Sequence, residues 1–209
     1  GKWIQSYNMR WFNLETTDPK TKPVSKDEFS VGFDKKLSEE LVFTTRLVYD
    51  HLNYIIEDCG WAVPAGELYI TGNPGYGMIT PQSEGGLFPN EFFREPKAKR
   101  EYVGINLNLD RRFSGNWAAG VNYTLSWLWG NCTGLGNAWI GDSPNRPGAT
   151  RAYDSWTMMY DAKGNVRDTW LDTDRRHYFK AYGTYRFPFG LTFGARAYLM
   201  TGLFYEPYM

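Results

Sequence analysis

Between Glu101 and Leu128 an apolar side chain recurs at every second position. Val103, Ile105, Leu107 and Leu109 alternate with Tyr102, Gly104, Asn106, Asn108 and Asp110. After Ser114-Gly115-Asn116 the alternation resumes, with Trp117, Ala119, Val121, Tyr123, Leu125 and Trp127 set against Ala118, Gly120, Asn122, Thr124 and Ser126. A period of two belongs to an extended strand, whose successive side chains point to opposite faces. Two such runs about a tight turn predict an antiparallel hairpin with one apolar face. Each arm has about a dozen residues, where a strand of a soluble sheet usually has about five or six. A tilted strand crossing a bilayer needs about 9–11. The second face is rich in Gly, Asn, Thr and Ser, which suits a wet lumen better than a packed core.

The same rhythm returns along the chain. Lys2–Leu14 is a weaker strand candidate, with Trp3, Tyr7, Met9 and Trp11 on one side. Glu28–Leu37 places Phe29, Val31 and Phe33 on one face, and Leu41–His51 places Leu41, Phe43, Leu47 and Tyr49. Glu67–Thr71 reads as a short strand. Arg176–Phe187 and Leu191–Gly202 form a last hairpin about Pro188-Phe189-Gly190. Short turns fall at 38–40, 114–116 and 188–190; long, Pro- and Gly-rich connections fall at 15–26, 52–100 and 129–175. That asymmetry is the one found between periplasmic turns and extracellular loops of outer-membrane barrels. The expectation is an all-β fold: residues 1–209 as an antiparallel transmembrane β-barrel segment of about seven strands, with short periplasmic turns and long extracellular loops. An odd strand number does not close a bacterial single-chain barrel. The pattern therefore implies either an open piece of a larger barrel or one further strand that alternation does not mark.

Composition narrows the function classes. The chain carries 23 basic and 23 acidic residues, a net charge of zero, so it offers no basic footprint for nucleic acid. Aromatics reach 18%, with 9 Trp and 15 Tyr, as interface girdles or a sugar-binding surface would require. The mean hydropathy of −0.52 does not argue against a barrel, because only alternate residues meet lipid. There is no run of about 18 apolar residues, hence no transmembrane helix is expected. The chain opens on Gly1 with no signal peptide, which reads as a processed or partial chain.

On the second face, Arg46, Asn106, Asn108, Asn122, Thr124, Lys180, Tyr182, Arg186, Arg196 and Tyr198 are the candidate lumen-facing residues. The simplest role for their charges is pairing across strands; together they can line a solute path or meet a plug. Trp127 and Trp129 at the outer strand end and Trp117 at the inner end are candidate membrane-interface anchors. Cys59 and Cys132 fall in long loops on the same side and form a candidate disulfide for an oxidising compartment; two unrelated thiols are the other reading. His51 and His177 stand alone and suit structural positions at strand ends. No catalytic constellation and no cofactor motif is found, so the chain is read as a non-enzyme without cofactor or resident metal. Asp142, Asp154, Asp161, Asp168, Asp172 and Asp174 gather in the second long loop. Such oxygen-rich loops bind calcium in some proteins, but Asp is also a common turn residue and the spacing fits no calcium loop. Asn122-Tyr-Thr and Asn131-Cys-Thr match the glycosylation pattern, the first within a strand.

Several runs resemble the barrel portion of TonB-dependent receptors, in particular the Oar-like proteins. They are DEFSVGFDKKL (27–37), IEDCG (56–60) leading to YITGNPGYG (69–77), PKAKREYVGINLNLDRRFSGNW (96–117), YTLSWLWGN (123–131), DSPNRPG (142–148), DSWTMMYDAKGN (154–165), TDRRHYFKAYGTYRFPFGL (173–191) and TGLFY (201–205). The resemblance implies a late segment of barrel wall in the bacterial outer membrane. It implies uptake or export of a large solute, with outer-membrane lipid as surroundings and an inner-membrane TonB protein as energy source. Such receptors also have a plug, an energy-coupling box and, in Oar-like members, a carboxypeptidase-regulatory-like domain, none of which is among these residues. From a different class, a secreted aromatic-rich β-sandwich that binds polysaccharide fits the same composition, and a small self-contained adhesion barrel would need an even strand count.

Overall fold

In a computed structural model, residues 17–63, 66–76, 96–132, 160–161, 163–171 and 173–203 are described, the backbone alone for 58–63 and 66–70. The elements are β1 (Ser25–Lys36), β2 (Leu41–Tyr54), β3 (Glu57–Val63), β4 (Gly66–Gly72), β5 (Arg100–Ser114), β6 (Trp117–Gly130), β7 (Thr169–Trp170), β8 (His177–Arg186) and β9 (Thr192–Met200). No helix among the described residues is long and apolar enough to cross a membrane. The chain divides into two compact units, Asp27–His51, Glu101–Trp129 and Trp170–Met209 in one, and Gly1–Lys26, Leu52–Arg100 and Gly130–Thr169 in the other.

The first unit is built on the long sheet. Its order is β1-β2-β5-β6-β8-β9, with β7 added to β6, seven strands that do not close on themselves. Register keeps like with like. Phe43, Leu47 and Tyr49 lie opposite Leu109, Ile105 and Val103, while Thr44 and Arg46 lie opposite Asn108 and Asn106. Val121 faces Ala181 and Asn122 faces Lys180; across the next seam Phe179 meets Leu199 and Lys180 meets Tyr198. A slip of one residue would exchange the two faces along a whole strand, so alternation itself fixes the register. Several side chains of the apolar face are exposed: Phe29 is 65% exposed, Phe193 61% and Leu199 68%. Phe33 and Phe43 meet edge to face across the β1–β2 seam, centroids 6.2 Å apart.

The short turns close as expected. The Leu37 N–H donates to the Leu41 carbonyl at 2.8 Å and Phe187 to Leu191 at 2.7 Å. The Ser38 hydroxyl accepts from the amides of Glu40 and Leu41, at 3.2 and 3.1 Å, satisfying donors that the turn leaves over.

The second unit corrects the two long connections. In the stretch 52–100 the short strand expected at Glu67–Thr71 is present as β4; beyond the expectation, β2 continues to Tyr54, and β3 pairs with β4 from Glu57↔Gly72 to Val63↔Gly66. Alternation does not mark β3, because the row Glu57, Cys59, Trp61 and Val63 begins with a carboxylate, and Glu57 is buried. The stretch 129–175 contains β7, too short at two residues to show a period. The Lys2–Leu14 candidate lies outside the described residues.

Near the hairpin, the Asn73 side chain makes three hydrogen bonds to two residues. It donates to the carbonyls of Lys22 (3.0 Å) and Ile55 (2.8 Å) and accepts from the Lys22 amide (2.5 Å). The bases of the two long connections are also tied. The Lys99 carbonyl accepts from Asn131 at 3.0 Å and Cys132 at 3.3 Å. The Asn131 side chain accepts from the Lys99 amide at 2.7 Å and donates to the Lys97 carbonyl at 3.0 Å. Gly130 makes this approach feasible: its φ is +144°, and a Cβ there would lie 2.0 Å from the Lys99 oxygen.

Gly130→Ala is therefore expected to destabilise the chain by about 1–3 kcal/mol, measured by urea unfolding in detergent. A variant as stable as the parent would show that this contact is not tight.

Candidate functional site: the polar face of the sheet

Strand register brings the predicted polar residues onto one face. The Thr124 hydroxyl donates to Asn106 at 2.8 Å, and the Asn122 amide donates to the Asn108 side-chain oxygen. One row along, the Tyr182 hydroxyl donates to Asp110. Thr44 donates to Asp34 at 2.6 Å. Towards the other edge, Arg196 donates to the Tyr198 hydroxyl at 3.2 Å. Tyr178 and Tyr198 are near-parallel at 6.4 Å, with the Lys180 ammonium 4.5 Å from the Tyr178 ring centroid. The Thr124–Asn106 and Asn122–Asn108 contacts are cross-strand pairs of small neutral groups, the arrangement that period-two alternation produces when one side is wet.

The cations depart from the expected cross-strand pairing. Arg46 lies opposite Asn106, Lys180 between Asn122 and Tyr198, and Arg196 opposite Tyr182. Among the described residues none of the three forms an ion pair. Arg186 has the register of this face but ends β8, where its guanidinium lies 5.0 Å from the Phe113 ring.

The predicted tryptophans lie at the two ends of the sheet. At the short-turn end Trp117 is exposed and the Arg111 guanidinium covers its ring at 3.7 Å. Arg111 also donates to the Trp117 carbonyl at 2.5 Å and to that of Ser114 at 3.2 Å. The same end carries an aromatic group absent from the predicted anchors. Phe187 packs on Tyr185 at 4.9 Å and on Phe189 at 5.2 Å, and Phe189 is 75% exposed. Its signal was position: each ring lies within a few residues of the 188–190 turn. At the long-loop end Trp129 meets Trp170 edge to face at 6.2 Å. Arg176 lies against Trp170 at 4.2 Å and Trp127 at 5.6 Å. Asp174, fully buried, holds this corner by accepting from the Leu128 amide at 2.9 Å and from Arg176 at 2.9 Å. A buried carboxylate needs such partners to offset its desolvation.

The remaining candidates have local partners. His51 Nδ1 is 2.7 Å from Glu101, which also accepts from the Tyr49 hydroxyl at 2.7 Å. His177 Nδ1 is 2.7 Å from the Tyr123 hydroxyl. No group of three metal-ligating side chains exists among the described residues. Of the clustered aspartates, Asp168 pairs with Lys99 and Asp174 braces the corner. Asp161 organises a turn by accepting from the amides of Lys163 and Asn165, both at 2.8 Å, and from the Asn165 side chain at 3.1 Å. Asp142, Asp154 and Asp172 lie outside the described residues, as does the Cys59 side chain and with it the candidate disulfide. Cys132 is buried.

Comparison with known proteins finds similarity to the TonB-dependent transporter Oar of Myxococcus xanthus, 29% identical over 170 residues. The match covers 81% of this chain and 14% of that protein. The resemblance read from the residue runs is thereby borne out, and the chain spans about one seventh of the length of the curated relative it matches. No protein-family model matches the chain, and no solved structure matches it.

The hydrogen bonds donated by Asn165, ahead of the other causes, hold the Asp161 carboxyl below the ordinary aspartate range. A lowered folded value means that the turn gains from the ionised form above the ordinary aspartate value and loses that gain as pH falls through the folded value. NMR titration of Asp161 should show this lowered midpoint, with the Asn165 amide shift moving in step. A midpoint at the free-aspartate value would refute the turn geometry.

Proposed function

We propose that this chain forms part of the wall of a TonB-dependent transporter of the bacterial outer membrane, moving a large solute across it. The observation that carries this reading is the two-sided sheet. One face presents small polar pairs and cations without an ion pair among the described residues; the other presents a row of apolar side chains, of which Phe29, Leu47, Leu109, Val121, Phe193 and Leu199 are exposed. In water that row would be a severe liability, because monomeric soluble proteins expose only small apolar patches. Against hydrocarbon it is the favourable surface. Strand length agrees, since β2, β5 and β6 have 14, 15 and 14 residues, enough for a tilted crossing of about 9–11 residues with ends in the interfaces. The aromatic–arginine groups at both ends of the sheet suit headgroup depth.

In this reading Arg46, Lys180, Arg196, Tyr182, Tyr198 and the Asn106–Thr124 and Asn108–Asn122 pairs line the path, and the long connections are surface gates. Energy comes from an inner-membrane TonB protein acting through other parts of the receptor. The work is binding and passage, with no bond made or broken. The competing sandwich reading requires a second sheet over the apolar row. The other sheet among the described residues is the two-stranded β3–β4, and Phe29, Phe193 and Leu199 of the apolar face are exposed.

Adjacent faces give the test. In lipid vesicles Val121→Lys should cost about 2–4 kcal/mol, as a cation facing hydrocarbon does, while Thr124→Lys should cost far less. Unfolding by urea reads both. Equal costs, or a chain that is monodisperse in buffer without detergent, would end the proposal.

A further inference from the structure

The second unit holds a compact group of rings and cations with no part in the sheet's faces. Tyr54 and Tyr76 lie 4.8 Å apart between centroids with their planes at 51°, forming a shallow open angle. The Lys22 ammonium donates to the Tyr54 hydroxyl at 2.9 Å and is 4.6 Å from its ring centroid, so it sits at the hydroxyl rim of the ring and not over its centre. The Lys97 ammonium is 4.5 Å from the Tyr76 centroid. Lys22, Lys97 and Tyr76 are exposed and Tyr54 half-buried.

Two features make this more than a chance gathering. First, the backbone beneath it is fixed. Tyr76 ends a turn whose amide donates to the Asn73 carbonyl at 3.3 Å, and its hydroxyl donates to the Asn53 carbonyl at 3.0 Å. Pro74 is fully buried. Gly75, at φ +73°, lets Lys97 approach so closely that a Cβ would lie 2.6 Å from the Lys97 nitrogen. Asn73 ties the same turn to Lys22. Side chains from four separate stretches are thus held in place before any ligand arrives, which lowers the entropy lost on binding. Second, among the described residues the positive charge meets no carboxylate. Lys36 pairs with Glu39 and Lys99 with Asp168, whereas neither Lys22 nor Lys97 pairs with a carboxylate among the described residues. The Tyr54 hydroxyl, as acceptor, raises the Lys22 pKa further, so its charge persists at neutral pH.

We propose that Tyr54, Tyr76, Lys22 and Lys97 form a capture site for an acidic carbohydrate, the rings stacking on the C–H face of a pyranose and the two ammonium groups binding its carboxylates. Tyrosine offers a flat apolar face with a polar tip, and lysine supplies a mobile point charge that does not require one fixed anion geometry. The site goes beyond the transport reading and does not depend on it.

The probe is a short oligogalacturonate, titrated by calorimetry into the full chain in neutral detergent. Its methyl ester, with the same ring faces and no charge, is the control. The acid is expected to bind about tenfold or more tightly than the ester, and rising salt should narrow the gap. K22Q/K97Q should erase the preference for the acid, and Y76L should weaken acid and ester alike, with circular dichroism unchanged in both. Equal affinity for acid and ester, or undiminished binding by K22Q/K97Q, would overturn the proposal. Binding to phosphatidylglycerol vesicles, lost in K22Q/K97Q, without binding to the oligosaccharide would overturn it too, by assigning the charges to lipid.

Discussion

Backbone pairing between neighbouring strands is the interaction on which the rest of this structure depends. In hydrocarbon there is no water to satisfy an amide or a carbonyl, so each must find its partner in the adjacent strand. On the membrane reading proposed above, that requirement accounts for strands that are long, antiparallel and in strict register. It also releases the side chains from holding the fold. One face can then be entirely apolar without a partner layer, and the other can carry pairs such as Asn108–Asn122 that contribute little to stability and much to wetness.

Cations on that wet face have a different character from those elsewhere. Arg111 and Arg176 are engaged by aromatic rings and, for Arg176, by buried Asp174. Lys99 is engaged by Asp168. Arg46, Lys180 and Arg196 have no such ion pair among the described residues. Leaving charge unneutralised costs little beside water, and it preserves a local field on that face.

The sheet was legible in the sequence because its physical cause is local. Two media on two sides impose a period of two, and the runs at 28–37, 41–51, 101–128 and 176–202 show it directly. The faces of Arg46, Asn106, Asn122, Lys180 and Arg196 followed from parity alone. What was not legible depends on distant partners. β3 is hidden because Glu57 begins its apolar row and is buried by tertiary structure. β7 has only two residues, too few for a period. The aromatic group of Tyr185, Phe187 and Phe189 does have a signal in the sequence, its nearness to the 188–190 turn. Tyr54 and Tyr76 are 22 positions apart in sequence and show no periodic signal; the turn at 73–76 brings the rings together.

The ties between the two long connections have a mechanical consequence. Lys97 and Lys99 end one connection, Asn131 and Cys132 begin the other, and the bonds between them are backbone amides and a single bidentate asparagine. Gly130 brings them too close for any side chain to intervene. Neither root can be lifted without first breaking the hydrogen bonds it shares with the other. The two segments therefore behave at their base as one hinge plate, and whatever freedom they have begins farther out along the chain.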